Sequence, residues 1–282
     1  MIKNITNKTI AIVLVINSLI FHSQTINGNI KDEAQKKIAG VIVGVEGESV
    51  GDITDENGNF SVNLTDIDKS KNLIAYLGGY EPYRVKISDF IEQKGHDIIL
   101  KERIIDIEPV ALYHHNLVEK NIGINKKSKI RYSGFNSTEN KQLLQERAIR
   151  FNNKKKLKLK NININLTDYN IIKPMMLIFD VYSSKDDMPD KSLLRNSISK
   201  EIKNNSEIKN NIISVNISDE NIWVEGDFFV SVRVANDFEG YIYLSGNIFA
   251  MSQKTYYRYY YGEWKHFTGG GPSINLDVLI KK

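Results

Sequence analysis

A tight turn between two apolar segments constrains the fold of this chain more than any other sequence feature. Asn57 and Gly58 lie between a β-branched run at residues 41–45 and a segment at residues 60–64 in which apolar and polar residues alternate. Asn and Gly adopt left-handed backbone angles at little steric cost, so this dipeptide is a strong hairpin signal between such segments. The sequence therefore predicts a β-hairpin whose flanks are strands.

Short segments with strand periodicity continue on both sides of this hairpin, with turn residues between them. They cover residues 26–30, 38–45, 49–54, 59–64, 72–76, 83–87 and 97–100. Several short strands at regular spacing are typical of an antiparallel sandwich. We therefore predict a seven-stranded, all-β domain over residues 24–112.

This region resembles the carboxypeptidase regulatory-like domain. The resemblance is carried by four motifs in order, GNIKD at residues 28–32, IAGVIV at 38–43, GDITDENGNF at 51–60 and GGY at 78–80. It implies a transthyretin-like, Ig-like β-sandwich without an active site, of the kind that follows the catalytic domain of some metallocarboxypeptidases and begins many TonB-dependent receptors. Residues 104–112 resemble the segment that ends the module in those receptors, which implies a last edge strand. The residues after Leu100 resemble neither a zinc peptidase nor the plug and barrel of a receptor. Neither peptidase nor transporter activity is therefore inferred for this chain.

A second strand-rich region is predicted after a linker. Residues 113–133 are rich in Lys and Asn and have no steady period, which indicates a linker. Within residues 134–282, strand patterns cover residues 157–166, 175–182, 212–217, 227–234, 241–249, 255–261 and 273–280. These patterns predict a second antiparallel β-sandwich. It is similar to jelly-roll-like regions that accompany the regulatory-like module in exported bacterial proteins.

Three local features are predicted inside this second region. Residues 136–149 combine an N-cap pattern with apolar residues at helical spacing, which predicts a short amphipathic helix. Pro189 begins a predicted helical turn over residues 189–194. The apolar face changes phase between Leu159 and Ile162, which predicts a β-bulge near Lys160.

The first 23 residues have the layout of a secretory signal peptide. Lys3 and Lys8 precede an apolar run of roughly a dozen residues, short of the ~20 that span a bilayer core. Cleavage is expected after Ser23. We therefore predict an exported protein with no transmembrane segment after cleavage, located in the periplasm, at the cell surface or outside the cell.

Composition argues against disulfides, thiolate metal sites and nucleic-acid binding. The chain contains 0 Cys, so disulfides and thiolate metal sites are excluded. The formal charge of +4 falls to +2 when Lys3 and Lys8 leave with the signal peptide, which does not favour nucleic-acid binding.

No motif in the sequence predicts catalysis. The nucleophile elbow, HExxH and P-loop patterns are absent from the 282 residues. His114 and His115 are neighbours that point to opposite faces of an extended chain, so a solvated pair is favoured over a metal pair. His266 lies beside Trp264 and is expected to be a packed or surface imidazole. A dispersed hydrolase triad ranks third among the function hypotheses, because both sandwich interiors are expected to be purely apolar.

Asp52, Asp55 and Asn57 place oxygen ligands at alternating positions before a Gly, as in part of a calcium loop. The remaining acidic positions and the terminal bidentate Glu of such a loop are missing. Hydrogen bonds from the Asx side chains to the turn backbone explain the same residues and are favoured. No metal or cofactor is therefore predicted.

The candidate binding surface is the aromatic run near the C-terminus. Its predicted site residues are Tyr257, Tyr259, Tyr261 and Trp264, and the three Tyr share one face of a strand if residues 255–261 are extended. Such a row suits sugar rings or a partner protein, while cross-strand aromatic packing is the favoured structural alternative. The leading hypothesis is an exported, non-catalytic binding or scaffold protein of the bacterial cell envelope, whose partner is an envelope protein or a glycan. The alternative is a carbohydrate-binding protein that uses this aromatic surface.

Overall fold

The computed structural model of the protein describes residues 24–103, 117–125, 128–129, 131–138, 145–235, 238–247, 254–268 and 271–281. The predicted signal peptide at residues 1–23, the predicted edge strand at residues 104–112 and the pair His114 and His115 lie outside the described residues. Within them the fold is all-β with a few short helices, as the sequence predicts. None of the helices in these ranges is long and apolar enough to cross a membrane.

The N-terminal unit consists of strands that match the predicted segments closely. They are β1 (Thr25–Asp32), β2 (Ile42–Val45), β3 (Gly51–Ile53), β4 (Asn59–Asn63), β5 (Asn72–Tyr76), β6 (Tyr83–Lys86) and β7 (Asp97–Leu100), with helix α1 (Ile87–Ile91) between β6 and β7.

Two sheets form this N-terminal sandwich. One has the strand order β4, β1, β7 and the other the order β3, β2, β5, β6. Apolar residues of both sheets and Phe90 of α1 form one core, in which Ile30, Val43 and Leu73 are fully buried. The predicted sandwich is confirmed with one difference. β1 and β7 pair in parallel, since they are the first and last strands and the intervening chain returns to the same end of the sheet.

The turn at Asn57 and Gly58 forms, but the predicted hairpin is wrong, because β3 and β4 belong to different sheets and the turn crosses from one sheet of the sandwich to the other. Gly58 has a φ of 74°, in the left-handed region that favours Gly. The Asp55 carboxylate accepts the N–H groups of Asn57 and Asn59, both at 2.8 Å, and Asp52 accepts the N–H of Ser61 at 2.7 Å. The interpretation of Asp52 and Asp55 as turn-stabilising Asx side chains is confirmed.

Substitution of Gly58 by Ala tests how strongly this turn constrains the fold. A Cβ at Gly58 would lie 2.5 Å from the Ile30 carbonyl oxygen, whereas a Cβ at Gly47, with a φ of 76°, would meet nothing within 4 Å. Both changes carry the backbone cost of ~1–2 kcal/mol, but Gly58→Ala adds a clash. In urea unfolding, we expect the larger loss for Gly58→Ala, and equal losses would show that the turn relaxes freely.

The C-terminal unit contains more strands than the sequence patterns predict. They are β8 (Leu117–Gly123), β9 (Arg131–Asn136), β10 (Gln145–Phe151), β11 (Leu157–Ile171), β12 (Met175–Lys185), β13 (Met188–Ser192), β14 (Ile198–Ile202), β15 (Ile212–Asn216), β16 (Trp223–Val224), β17 (Phe228–Val234), β18 (Gly240–Asn247), β19 (Thr255–Tyr259), β20 (Lys265–Phe267), β21 (Gly271–Pro272) and β22 (Ile274–Lys281). Two 3₁₀ helices, Asn205–Glu207 and Ser218–Glu220, lie between them.

These strands form a second antiparallel sandwich. One sheet has the order β13, β12, β17, β10, β19, β20, with β14 also on β12. The other has the order β21, β18, β11, β22, β8, with β15 and β16 on β11 and β9 on β18. Their inward side chains form one apolar core. The predicted bulge is confirmed, because the β11–β22 register shifts between Leu159 and Asn161.

The helix predicted over residues 136–149 is wrong at residues 145–149, while residues 139–144 lie outside the described ranges. Residues 145–149 belong to strand β10, which pairs with β17 on one side and β19 on the other. Ala148 and Ile149 point to opposite faces of the sheet and are both fully buried. A strand buried on both faces lacks polar and apolar alternation, so its apolar residues imitate helical spacing.

Two further predictions fail at edge strands. The helical turn predicted at residues 189–194 is largely strand β13, where Pro189 pairs with Ser184 at the sheet edge, a place that tolerates a missing N–H. The predicted linker at residues 113–133 contains β8, which pairs with β22 along its whole length. β8 is mostly exposed and carries Glu119 and Lys120, as edge strands often do, and therefore looks like a linker in sequence.

The two sandwiches contact each other through the outer faces of neighbouring sheets. Ile42 and Tyr76 are paired on β2 and β5 and are buried on the face that points away from the N-terminal core. Ile178 of β12 and Ala235 after β17 belong to the apolar cluster of the N-terminal unit. The outer face of the second sandwich is thereby covered at β12 and at the end of β17.

Candidate functional site

The predicted aromatic residues lie on and beyond strand β19. Tyr257 and Tyr259 are neighbours on one face, half-buried, with ring centroids 6.3 Å apart in a T-shaped arrangement. Gln145 of β10 donates a hydrogen bond to the Tyr259 hydroxyl at 3.2 Å. These two rings therefore contact the adjacent strand as well as solvent.

Tyr261 and Trp264 do not continue this row. The strand ends at Tyr259, and Tyr260 takes a φ of 47°, which reverses the chain. Tyr261 then packs on the N-terminal unit and donates its hydroxyl to the Ile42 carbonyl at 3.2 Å. The prediction that Tyr261 shares the face of Tyr257 and Tyr259 is wrong, and a binding role for the four aromatic residues stays a prediction.

Trp264 covers a buried ion pair. The guanidinium carbon of Arg258 lies 4.2 Å from the Trp264 ring centroid and 5.8 Å from that of Tyr182. Arg258 donates to one oxygen of Glu146 through Nε at 2.9 Å and Nη2 at 2.7 Å. Glu146 is 1% exposed, so this is a shielded charge pair between β10 and β19.

Both oxygens of Glu146 are satisfied. The second oxygen accepts the hydroxyls of Tyr182 at 2.9 Å and Ser231 at 2.6 Å. Burial acts to raise the pKa of Glu146, but Arg258 and then Arg233 outweigh it, so the pKa lies below its usual value. Glu146 is therefore an ionised acceptor at neutral pH rather than a proton donor.

A second buried carboxylate joins the two sandwiches. Asp180 of β12 accepts the hydroxyl of Tyr76 at 2.9 Å and that of Ser192 at 2.6 Å. Burial is the largest cause of its shift, and the Glu146 charge adds to it, so the pKa of Asp180 rises to about 6. Burial likewise raises the pKa of Tyr76 well above its usual value, so Tyr76 remains a hydrogen-bond donor.

Arg233 lies near Glu146 and Asp180 and makes few hydrogen bonds. Its side chain is among the largest fully buried ones, and its Nη2 donates to the Gly40 carbonyl of the N-terminal unit at 3.3 Å. Its Nε has no hydrogen-bond partner in the described structure. Arg233 therefore adds positive charge near both Glu146 and Asp180, and it also contacts the N-terminal backbone.

An open groove of about 780 Å³ lies at the end of the second sandwich. It is formed where the chain crosses from β16 in one sheet to β17 in the other, opposite the β12–β13 turn. Its lining residues include Arg150, Ser183, Trp223 and the acidic residues Asp186, Asp187, Glu225 and Asp227. Acidic residues therefore outnumber basic ones in the lining of this groove.

The floor of the groove is an ion network. Arg150 donates to Asp187 at 2.8 Å and also pairs with Asp227. Lys254 donates to Asp187 at 2.6 Å and is the largest cause of the lowered pKa of that carboxyl. Asp187 and Asp227 are therefore neutralised by cations of the same chain.

Other candidate ligands are dispersed. His266 is exposed on β20 beside the Tyr256 ring, as predicted for a surface imidazole. His96 stacks on Phe90 at 4.9 Å. Across the described ranges, three or more His, Asp or Glu side chains nowhere gather in a way that could hold a metal ion.

Comparison with known families identifies the N-terminal unit. Residues 26–112 match the family model of the CarboxypepD_reg-like domain. The N-terminal sandwich is a carboxypeptidase regulatory-like domain. A search of curated proteins finds no match.

Two solved structures are distant likenesses of the chain. The structure of the cysteine protease and lectin-like domains of Cwp84, a surface layer associated protein of Clostridium difficile, has 10% identity and a TM-score of 0.37, over 49% of this chain and 32% of that one. The structure of infectious bursal disease virus Gx strain has 9% identity and a TM-score of 0.28, over 92% of this chain and 75% of that one.

The buried polar groups join the regulatory-like domain to the second sandwich, and they correct one expectation. The prediction that the interior is purely apolar is wrong at this junction, where Glu146, Asp180, Arg233 and Arg258 lie together. Sequence reasoning missed them because their partners are distant along the chain. A signal was present, since Asp180 and Arg233 interrupt the apolar strands MMLIFDVY and FFVSVRV.

Proposed function

We propose that this chain is an exported, non-catalytic binding or scaffold protein of the bacterial cell envelope. The regulatory-like domain supports the proposal, since the resemblance implies an accessory module without an active site. The single observation that supports it most is that the buried polar groups at the junction of the two sandwiches are closed to solvent. The ionisable groups best suited to chemistry, Glu146 and Asp180, are each 1% exposed and hydrogen-bonded to structural partners.

The junction suits a scaffold for a further physical reason. Buried polar groups that hydrogen-bond across two units fix one relative arrangement, since any other would leave them without partners in a low-dielectric environment. Tyr76 to Asp180 and Arg233 to Gly40 are two such contacts. A fixed arrangement presents any surface of the second sandwich in a defined orientation, which reduces the entropy lost on binding.

Carbohydrate binding is the second candidate, and the neighbouring, half-buried rings of Tyr257 and Tyr259 favour it. The aromatic residues that the sequence predicts for this role are divided, with Tyr261 and Trp264 packed at the junction.

Fractionation and activity assays test the leading proposal. After expression of the full chain in a Gram-negative host, we expect a mature protein lacking about the first 23 residues in the periplasmic, surface or medium fraction, and co-sedimentation with an envelope fraction. We expect no turnover of a peptide, ester and glycoside panel. Cytoplasmic retention of an unprocessed chain would contradict export, and turnover abolished by Glu146→Gln or Asp180→Asn would contradict a non-catalytic role.

A further inference from the structure

We propose that Tyr241 and Tyr243 of strand β18 form a subsite for a neutral glycan, an inference that rests on the proposed binding function. Ile242 and Leu244, which alternate with them, are fully buried in the C-terminal core. Because successive side chains of a strand point to opposite faces, both Tyr side chains lie on the outer face of their sheet. Both are half-buried, so part of each ring is accessible to a ligand.

The strands on either side of β18 place polar groups around the two rings. On β11, Asn170 pairs with Tyr241 and Asp168 pairs with Tyr243. On β9, Asn136 pairs with Tyr241. Paired residues of adjacent strands point to the same face of a sheet. Two amides and one carboxylate therefore flank the aromatic pair.

The two rings form a tilted platform whose geometry is already fixed. Their centroids lie 5.0 Å apart and their planes differ by 39°. A Cβ added at Gly134 would lie 2.5 Å from Cδ1 of Tyr243, so this ring lies over the outer face of β9. Asn136 donates a hydrogen bond to the Tyr243 hydroxyl at 3.0 Å, which holds the other end of the side chain. A ring in this position presents its opposite face to solvent, where the apolar C–H face of a sugar can pack.

The amides beside the rings are also held in one orientation. Asn136 Oδ1 accepts the N–H of Thr138 at 3.0 Å and its hydroxyl at 2.9 Å. Asn170 Oδ1 accepts Nδ2 of Asn205 at 3.3 Å, and Asn170 Nδ2 has no hydrogen-bond partner within the described ranges. This donor and the Asp168 carboxylate together suit hydroxyl groups, which both donate and accept. Fixed partners lower the entropic cost of binding.

The charge of this surface favours a neutral glycan over an acidic one. Asp168 is the charged residue at the positions that pair with the two tyrosines. Glu239, just before β18, pairs with Lys173 at 3.2 Å, so these two charges offset each other. An acidic glycan would meet the Asp168 charge without a compensating cation at the paired positions, whereas neutral hydroxyls can donate to it.

The other aromatic row of the chain occupies a different face. Tyr257 on β19 pairs with Arg147 of β10, and Arg147 shares its face with Ile149 of the C-terminal core. Tyr257 therefore points toward the space between the two sheets, while the β18 row lies outside it. An extended glycan can cross the β18 row without entering the sandwich, and the two rows are separated by experiment.

The test uses the mature full chain on an array of neutral and acidic glycans, followed by titration calorimetry with the neutral oligosaccharide that binds best. We expect Tyr241→Ala and Tyr243→Ala each to weaken binding by roughly tenfold or more, and Tyr241→Phe to retain most of it. Because loss of a half-buried ring can disturb the sheet, Asp168→Asn provides a variant of nearly the same shape, expected to weaken binding several-fold. Phe267→Ala removes an exposed aromatic residue elsewhere and is the matched control.

Three outcomes would overturn the inference. The first is envelope co-sedimentation without binding to any glycan, which leaves the proposed function standing. The second is glycan binding that is lost on Tyr257→Ala but unchanged on Tyr241→Ala and Asp168→Asn, which moves the site to β19. The third is binding of acidic glycans or of an oligolysine peptide with no binding of neutral glycans, which contradicts the charge argument. If neither glycans nor an envelope fraction bind, both the inference and the proposed function fail.

Discussion

Replacement of Glu146 by Ala is expected to lower the free energy of unfolding by about 3–5 kcal/mol, the cost typical of breaking a buried ion pair from one side. The change removes the acceptor of Arg258, Tyr182 and Ser231 at once. Arg258 would remain 13% exposed beneath the Trp264 ring with its charge unpaired. Urea unfolding followed by circular dichroism measures the loss, and a tryptophan fluorescence change would report the loosening around Trp264.

A surface ion pair provides the matched control. Lys31 and Asp97 lie 2.9 Å apart with side chains 24% and 59% exposed, and Asp97→Ala is expected to cost about 1 kcal/mol or less. The double variant Glu146→Leu with Arg258→Met removes both charges and is expected to recover part of the stability lost in Glu146→Ala. Equal small losses for Glu146→Ala and Asp97→Ala would contradict the structural role of the junction network.

Most of the regulatory-like domain could be predicted from its sequence because its signals are local. The β3–β4 turn depends on Asp55 and Gly58 within a few residues of each other, and β5 and β7 match their predicted bounds. Each of its strands has one face in the N-terminal core and the other exposed or at the junction. Period two therefore remains visible in most of them.

Strand β10 shows why the second sandwich was harder to predict. Its inward face packs in the C-terminal core through Ile149 and Phe151, and its outward face is covered at the junction through Glu146 and Ala148. Burial on both faces depends on tertiary contacts that no local window contains. A charged residue on such a strand also suggests an exposed helix face, although Glu146 is 1% exposed.

The candidate binding sites likewise depend on contacts between residues that are distant along the chain. The aromatic run at residues 256–261 is conspicuous in sequence, but the conformation of Tyr260 and the docking of Tyr261 onto Ile42 depend on the other sandwich. The groove at Trp223 unites residues that lie far apart along the chain, from Arg150 to Phe228. These residues form no recognisable motif, because they come together only in the folded chain.

The pH dependence of stability is expected to identify Asp180 as the titrating group of the junction. Its pKa is about 6 in the folded protein and close to 3.8, its ordinary value, in the unfolded chain. Because the folded state binds the proton more tightly, the stability from this group is fully present below pH ~3.8 and is lost as the pH rises through ~6. At about 1.4 kcal/mol per pKa unit, the loss is about 3 kcal/mol at neutral pH.

Asp180→Asn isolates this effect, since Asn has nearly the same shape and can still accept the Ser192 hydroxyl and the Val181 N–H now bound by one carboxylate oxygen. The free energies of unfolding of the two proteins should agree near pH 4 and diverge above it, with Asp180→Asn more stable by up to about 3 kcal/mol at pH 7.5. The difference between the two proteins removes the contributions of all other carboxylates. Asp187→Asn is the control at an exposed position whose pKa is lowered by Lys254 and Arg150, so its stability difference should have the opposite sign. A difference for Asp180→Asn that is constant from pH 4 to 7.5 would show that Asp180 does not titrate in this range, and that the junction keeps its carboxylate charged through Arg233.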